Sequence, residues 1–204
     1  MSITQKSWKT TFITIWSGQA VSLLTSSIIQ FAIIWELTNK TGSAAMLSIA
    51  SLMAFLPTAL LGPFIGALVD RWNRKTIMIV ADAGIALVTL CLALVSFTTG
   101  SLPTWLVMTA LFLRAVGTAF HQPCLQAVTP SIVPEDQLTR CNGYTAALQS
   151  VSFILSPALA AALYAVLPVA PILLFDVRGA AIGIATLAVS KIPHTAPQTT
   201  GEIH

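Results

Sequence analysis

The stretch GALVDRWNRK, residues 66–75, concentrates one acid and three bases in ten positions. It ends a charge-free run over 41–69, and charged residues make up only 8% of the whole chain, against about 25% in an average soluble domain. A helix of about 20 apolar residues crosses the hydrocarbon core of a bilayer, and the run before the charges is longer than that. We therefore interpret this stretch as a loop at the membrane surface between two spans.

Further charge-free runs occupy 10–35, 83–113, 115–134 and 141–175. Proline, glycine and charged residues separate the hydrophobic segments, as is typical where helices end. These patterns predict an all-α membrane protein with six transmembrane helices in one bundle over 11–191. The predicted spans are 11–37, 44–69, 76–98, 103–127, 141–166 and 170–191. Residues 129–140 are predicted to be a loop, residues 1–10 an N-terminal segment, and residues 192–204 a flexible polar tail.

The basic residues are divided unequally between the two sides of this predicted bundle. If the N-terminus is cytoplasmic, only Lys40 lies on the outer side. The cytoplasmic side then carries Lys6, Lys9, Arg71, Arg74, Lys75, Arg140 and Lys191. Cytoplasmic loops of multi-pass proteins contain an excess of lysine and arginine. We therefore expect both termini in the cytoplasm and a location in the cell membrane.

Polar residues recur with helical spacing inside two of the predicted spans. Gln19, Ser26 and Gln30 share one face of the first span, and Asn142 and Gln149 share one face of the fifth. Such faces do not point into lipid but towards other helices or a water-filled cavity. Hydrogen bonding between helices and a wetted pathway both remain open. The amides favour the pathway, because they are costlier to bury than hydroxyl groups.

The fourth span contains the charge that is hardest to place in a membrane. Arg114 lies near its middle, and Gly117 and His121 follow on the same side. A lone ion near the bilayer centre costs at least ~2.5–3.5 kcal/mol on insertion scales, and arginine cannot deprotonate to escape this cost. Arg114 is therefore a candidate functional charge, with a structural hydrogen-bond hub as the alternative. For His121 a packing role is favoured over titration.

Three further charges lie within the spans. Asp82 is about two turns into the third span, where we expect it to be within reach of the preceding basic loop. Proton carriage and a structural partnership both remain open for it. Asp176 and Arg178 are two residues apart on one predicted helix, so they do not face each other. Each therefore needs a partner elsewhere.

Small residues and cysteines add little chemistry. Gly62 and Gly66 form a G-x-x-x-G pair, which is typical of close packing between membrane helices. The cysteines at 91, 124 and 141 form no C-x-x-C pair and are expected to be packing residues. The sequence indicates no metal, cofactor or nucleic-acid partner. An enzyme is the least favoured class, because the chain has no nucleophile–base pair, metal-ligand cluster or glycine-rich phosphate loop.

The opening stretch resembles the signature loop of the major facilitator superfamily, G-x-x-x-D-R-x-x-R-R. It matches at Gly66, Asp70, Arg71, Arg74 and, with lysine for arginine, Lys75. The resemblance implies that this loop gates the carrier as a cytoplasmic latch, in which the aspartate meets a helix end of the opposite bundle. The segment LFLRAVGTA, residues 111–119, resembles the fourth-span motif of the family, whose buried arginine would be Arg114 and whose glycine would be Gly117.

Three segments, 15–33, 117–158 and 189–193, resemble more closely the macrolide-efflux branch of that superfamily. This resemblance implies a carrier that exports lipophilic drugs, with macrolides as cargo, in exchange for protons. The family has twelve spans, so the chain is similar to an amino-terminal half that needs a C-terminal six-helix partner. The competing hypothesis is a truncated or split membrane subunit that does not transport alone.

Overall fold

The chain folds into six α-helices joined by short connections, as seen in a computed structural model that describes residues 5–69 and 72–190. These helices are α1 (Gln5–Thr41), α2 (Ala44–Val69), α3 (Arg74–Thr99), α4 (Thr104–Ile132), α5 (Glu135–Val166) and α6 (Val169–Val189). All six are long and apolar enough to cross a membrane. The prediction of an all-α membrane protein with six spans is confirmed. Residues 1–4, Asp70, Arg71 and the predicted tail over 192–204 lie outside the described residues.

Local sequence explains where α3 begins and ends. The side-chain oxygen of Asn73 accepts a hydrogen bond from the backbone N–H of Thr76 at 3.3 Å, which satisfies one of the free donors of the first turn. At the other end Gly100 takes a φ of 70°, and its N–H donates to the carbonyl oxygen of Ser96 at 3.0 Å. Glycine adopts this left-handed conformation without strain. Both ends of α3 are therefore fixed by capping.

The predicted loop over 129–140 is wrong, because most of it is helical. α4 continues to Ile132, α5 already begins at Glu135, and only Val133 and Pro134 connect them. Proline fits next to the start of a helix, where its missing N–H costs no hydrogen bond. Glu135 and Asp136 occupy the first turn of α5, where acidic side chains interact favourably with the helix dipole. Both helices therefore extend beyond the hydrophobic segments that predicted them.

Four helices surround the centre of the bundle. α1 packs against α6, α6 against α3, α3 against α4, and α4 against α1, so that these contacts form a closed ring. α2 packs mainly on α4, and α5 mainly on α1. Large apolar side chains such as Phe64 of α2 and Ile154 of α5 are exposed on the outside. Such a surface suits a lipid environment or a further layer of protein.

Glycines allow α1 and α6 to approach closely. A Cβ atom added at Gly179 would lie 1.9 Å from Oγ1 of Thr25, and one added at Gly18 would lie 1.9 Å from Oγ1 of Thr186. Around Gly62 and Gly66 of α2, by contrast, no described atom would lie within 4 Å of an added Cβ. The expectation of close packing at this pair is therefore wrong for the described part of the bundle. The close approach uses α6 instead, where Gly179 and Gly183 form another G-x-x-x-G pair.

Candidate transport site

A buried ion pair occupies the centre of the four-helix ring. Arg114 of α4 is 2% exposed and pairs through Nη1 with the carboxylate of Asp176 of α6, which is 1% exposed. Nη1 also contacts the hydroxyl of Thr89 of α3, which donates to Asp176 Oδ2 at 2.7 Å. Nη2 donates to the carbonyl and hydroxyl oxygens of Ser26 of α1 at 3.1 and 2.9 Å. We call Ser26, Thr89, Arg114 and Asp176 the Arg layer.

This arrangement compensates the charges that the membrane would otherwise penalise. Removing two ions from water is expensive, and their attraction offsets this cost only when the geometry is good and further hydrogen bonds satisfy the remaining groups. Thr89 and Ser26 supply such bonds to the two ions. The Arg layer as a whole carries no net charge when Asp176 is ionised.

A second polar cluster joins the same four helices. Nε2 of His121 in α4 lies 2.8 Å from Oε1 of Gln19 in α1 and 3.4 Å from Oδ1 of Asp82 in α3. Nε2 of Gln19 is 3.3 Å from the carbonyl oxygen of Gly183 in α6 and 3.5 Å from Oδ2 of Asp82. Because Gln19 Oε1 can only accept, Nε2 of His121 carries a hydrogen in this arrangement. We call Gln19, Asp82, His121 and Gly183 the His layer.

Gly183 contributes to the His layer through its backbone and through its missing side chain. A Cβ at this position would lie 3.2 Å from Nε2 of Gln19 and 3.3 Å from Oδ2 of Asp82. Both separations are tighter than most real Cβ contacts. The absence of a side chain therefore leaves room for the amide and the carboxylate to meet beside α6.

The two layers are related by a constant spacing along every helix. Each helix of the ring contributes one residue to each layer, and the two residues are seven positions apart. The pairs are 19 and 26 in α1, 82 and 89 in α3, 114 and 121 in α4, and 176 and 183 in α6. Seven residues are almost two helical turns, or roughly 10 Å of rise. Each helix therefore presents one face to both layers.

The layers open into a cavity of about 210 Å³, which we call the main cavity. Arg114, Asp176, Asp82 and His121 all line it. A side cavity of about 180 Å³ shares Gln30 and four other lining residues with the main cavity. The shared lining also includes Leu23, Ser27, Phe55 and Gln122. The space is large enough for several water molecules and contains the polar partners that ordered water needs.

The structure brings most of the predicted coupling and cavity residues to these features. Gln19 and His121 lie in the His layer, and Ser26 and Arg114 lie in the Arg layer. Gln30 lines both cavities. Gln149 lines the side cavity, where its Nε2 donates to Oε1 of Gln122 at 2.9 Å.

Two of the predicted coupling and cavity residues lie elsewhere. Asn142 is exposed near the start of α5 and lines neither cavity. Gly117 faces α3, where an added Cβ would lie 2.7 Å from Cγ1 of Ile85. Its position therefore permits close helix packing and does not place it in the cavity wall.

No contact within the described part of the chain joins Asp82 to the basic loop that precedes α3. Arg74 donates to the carbonyl oxygen of Ala127 at 3.0 Å, and Lys75 donates to those of Ala188 and Ser190 at 3.0 and 2.8 Å. Asp82 lies eight residues beyond Arg74 on the same helix, which is roughly 12 Å of rise. Its described partners are therefore the amide and imidazole of the His layer.

Thr89 and Gly183 are two site residues that sequence reasoning missed. Both are unremarkable alone, since threonine and glycine are common in membrane helices. Their signal is the seven-residue spacing from Asp82 and Asp176, the acids whose partners were unknown. That spacing acquires meaning only once the four helices are known to face one another.

Membrane-spanning helices that bury ionisable groups around a cavity are characteristic of membrane transport proteins. Residues 15–203 match the Major Facilitator Superfamily, and the chain belongs to this family of multi-pass membrane transporters, whose members are in general not enzymes.

Among curated relatives, the chain is 57% identical over 186 residues to Macrolide efflux protein A of Streptococcus pyogenes. It is 53% identical over 152 residues to Macrolide efflux protein A of Enterococcus faecalis. These matches cover 91% and 74% of this chain, and 46% of each relative. An uncharacterized MFS-type transporter of Mycobacterium tuberculosis is 34% identical over 122 residues, which are 58% of this chain and 27% of that protein. The chain thus spans about half the length of the macrolide-efflux relatives it matches.

Proposed function

We propose that this chain supplies one six-helix bundle of a carrier that exports macrolide-type antibiotics across the cytoplasmic membrane in exchange for protons. The observation that carries the proposal is that four buried ionisable side chains from three helices line a single cavity. Such groups are expensive in a membrane and mark substrate and proton pathways. The cargo is proposed from the 57% identity to a protein named for macrolide efflux.

The proposed carrier needs a second bundle opposite this one. The chain corresponds to 46% of its macrolide-efflux relatives, and alternating access moves one repeat against another around a central site. The exposed apolar faces of α2 and α5 suit contact with such a bundle. The drug pathway would then run between the two bundles, with Gln30 and Gln149 in its wall on this side.

The loop between α2 and α3 has a proposed role in gating. We expect Asp70 and Arg71 to contact the second bundle as a latch on the cytoplasmic side, where both termini are also proposed to lie. Arg74 and Lys75 bind backbone carbonyls near the ends of α4 and α6 within this bundle. These contacts support a loop whose α3 end is anchored to this bundle.

The test measures accumulation of radiolabelled erythromycin in susceptible cells that produce the full-length product of the gene encoding this chain. We expect the wild-type protein to lower accumulation severalfold and a protonophore to abolish the difference. Arg114→Ala should lose export at equal protein level, because it leaves the carboxylate of Asp176 without its cation beside the cavity. Arg178→Ala is the matched control, since Arg178 is exposed on the helix that carries Asp176.

Two results would contradict the proposal. Equal accumulation in cells with the wild-type protein and in cells with an empty vector would exclude macrolide export. Wild-type export by Arg114→Ala at equal protein level would remove this arginine from the mechanism while leaving the transport function in place.

A further inference from the structure

We infer that the His layer is the proton-binding site of the carrier, where Asp82 and His121 share one exchangeable proton that leaves when drug binds between the two bundles beside the main cavity. This inference rests on the proposed function and assigns the proton to particular atoms. The neighbouring Arg layer, in this assignment, holds the helices together and exchanges no proton.

Few titratable groups face this site. α3 contributes Asp82, α4 contributes His121 and Arg114, and α6 contributes Asp176. α1 carries no charged residue between positions 10 and 35, and α2 carries none over 44–69. The thiol of Cys124 is one turn beyond His121 but packs in a buried apolar cluster. Among the described residues that line the main cavity, the ionisable candidates for the proton are therefore the four side chains of the two layers.

The Arg layer is poorly suited to release or accept a proton. Arginine stays protonated at all physiological pH values. Asp176 contacts this permanent cation and accepts a hydrogen bond from the hydroxyl of Thr89. A proton on Asp176 would leave the guanidinium as an uncompensated buried charge, which is strongly unfavourable.

The His layer differs because the imidazole of His121 can be either neutral or positively charged. With neutral His121 and ionised Asp82 the layer carries one negative charge, and with one added proton it carries none. Histidine is the side chain whose ordinary titration falls in the physiological range. The amide of Gln19 binds both partners, so it holds the pair in place in either state.

Access to water also separates the two layers. The side chains of His121 and Asp82 are 10% and 7% exposed, whereas those of Arg114 and Asp176 are each 2% exposed. A proton-binding pair must be reached by water during the transport cycle, and this pair lines the main cavity. A cationic drug bound beside that cavity is attracted by the negative charge that the layer carries only after the proton has left. Coupling between drug and proton follows, and it is reciprocal: the proton weakens drug binding as much as the drug weakens proton binding.

The experiment uses the purified full-length protein in detergent, with tritiated erythromycin as the probe and a pH-sensitive dye in weak buffer. Because the drug competes with one proton, wild-type drug affinity should fall by about tenfold per pH unit below the midpoint. The midpoint is the pH at which half of the drug-free sites carry the proton. Drug binding near the midpoint should release a fraction of one proton per protein molecule. Protons released or taken up by the drug itself are the same in every variant and are subtracted. In proteoliposomes, a pH gradient should drive uptake of the drug against its own gradient.

Asp82→Asn should abolish the site's proton release and the pH dependence of affinity. It should lose gradient-driven uptake but keep exchange of labelled for unlabelled drug. His121→Gln should shift the midpoint by one pH unit or more while drug exchange persists. It provides an independent test if Asp82→Asn does not fold. Glu36→Gln is the matched control, because Glu36 is an acid of α1 that binds Tyr164 away from the His layer.

The outcomes separate this inference from the function on which it rests. If either folded variant of the His layer retains wild-type proton release and an unchanged midpoint, the inference fails although drug transport stands. The same holds if Glu36→Gln loses proton release. If the wild-type protein neither binds nor transports the drug, the proposed function fails and this inference with it.

Discussion

The close approach of α1 and α6 predicts that a single methyl group at Gly179 destabilises the bundle. In Gly179→Ala the new Cβ would lie 1.9 Å from Oγ1, 2.9 Å from Cβ and 3.1 Å from Cγ2 of Thr25. Rotating the threonine side chain removes the first clash but breaks its hydrogen bonds to the carbonyl oxygens of Val21 and Ser22. The Cβ of Thr25 does not move on rotation, so the 2.9 Å contact must lengthen beyond 3.0 Å by separation of the helices.

The expected magnitude follows from two opposing contributions. Overpacking of a well-packed site costs about 1–3 kcal/mol, and the fixed Cβ contact favours the upper part of this range. Alanine offsets part of the cost, because it is more favourable than glycine in a helix by about 0.8–1.0 kcal/mol. The net loss in free energy of unfolding should therefore be about 1–2 kcal/mol. Gly84→Ala in α3 has no neighbour within 4 Å of its new Cβ, so it should gain up to about 1 kcal/mol.

Thiol labelling during denaturation measures this difference. Cys124 and Cys141 are buried and become reactive when the protein unfolds, and exposed Cys91 is replaced by serine in every variant. Gly179→Ala should unfold at a lower denaturant concentration than the parent, and Gly84→Ala at the same or a higher one. If Gly179→Ala is as stable as Gly84→Ala, α1 and α6 are not packed at the distance described here.

Two further predictions concern charges. Asp176→Ala leaves Arg114 without its carboxylate and should lower the free energy of unfolding by about 3–5 kcal/mol. Arg178→Ala at an exposed site should change it by less than about 0.5 kcal/mol. Equal effects of the two substitutions in the same thiol assay would exclude a stabilising buried pair. Asp70→Asn should shift the full-length carrier between inward-open and outward-open states, seen as altered labelling of a cysteine placed at Gln30 from the two sides of the membrane. Unchanged labelling and transport would count against the latch.

The membrane architecture could be predicted because each span coincides with a long stretch almost free of charge. Hydrophobicity reports only the part of a helix that lies in lipid, however. It therefore missed the turns by which α4 and α5 extend towards Val133 and Pro134. Those turns are indicated by Pro134 next to the start of α5 and by the acidic Glu135 and Asp136 in its first turn, which are signals of a different kind.

The polar site was less predictable, because periodicity gives the face of one helix but not the helix that it meets. The faces carrying Gln19 and Arg114 were identified from sequence, and the structure places both in polar layers. The partners of Asp82 and Asp176 depend on how helices distant in sequence pack together, and no single-helix pattern contains that information. The motif at Gly62 and Gly66 predicted a closely packed neighbouring helix. No described atom lies within 4 Å of a Cβ added at either position.

The seven-residue spacing between the layers constrains how this bundle can change shape. Sliding any one of α1, α3, α4 or α6 along its axis would pull its residues out of both layers at once. Rotating it would turn both of its polar contacts towards apolar neighbours. Each helix contacts its neighbours in both layers, so a small independent shift of one helix breaks contacts in both. The four helices are thus coupled as one rigid body. Conformational change then takes place in the flanking helices and by tilting of the whole rigid body.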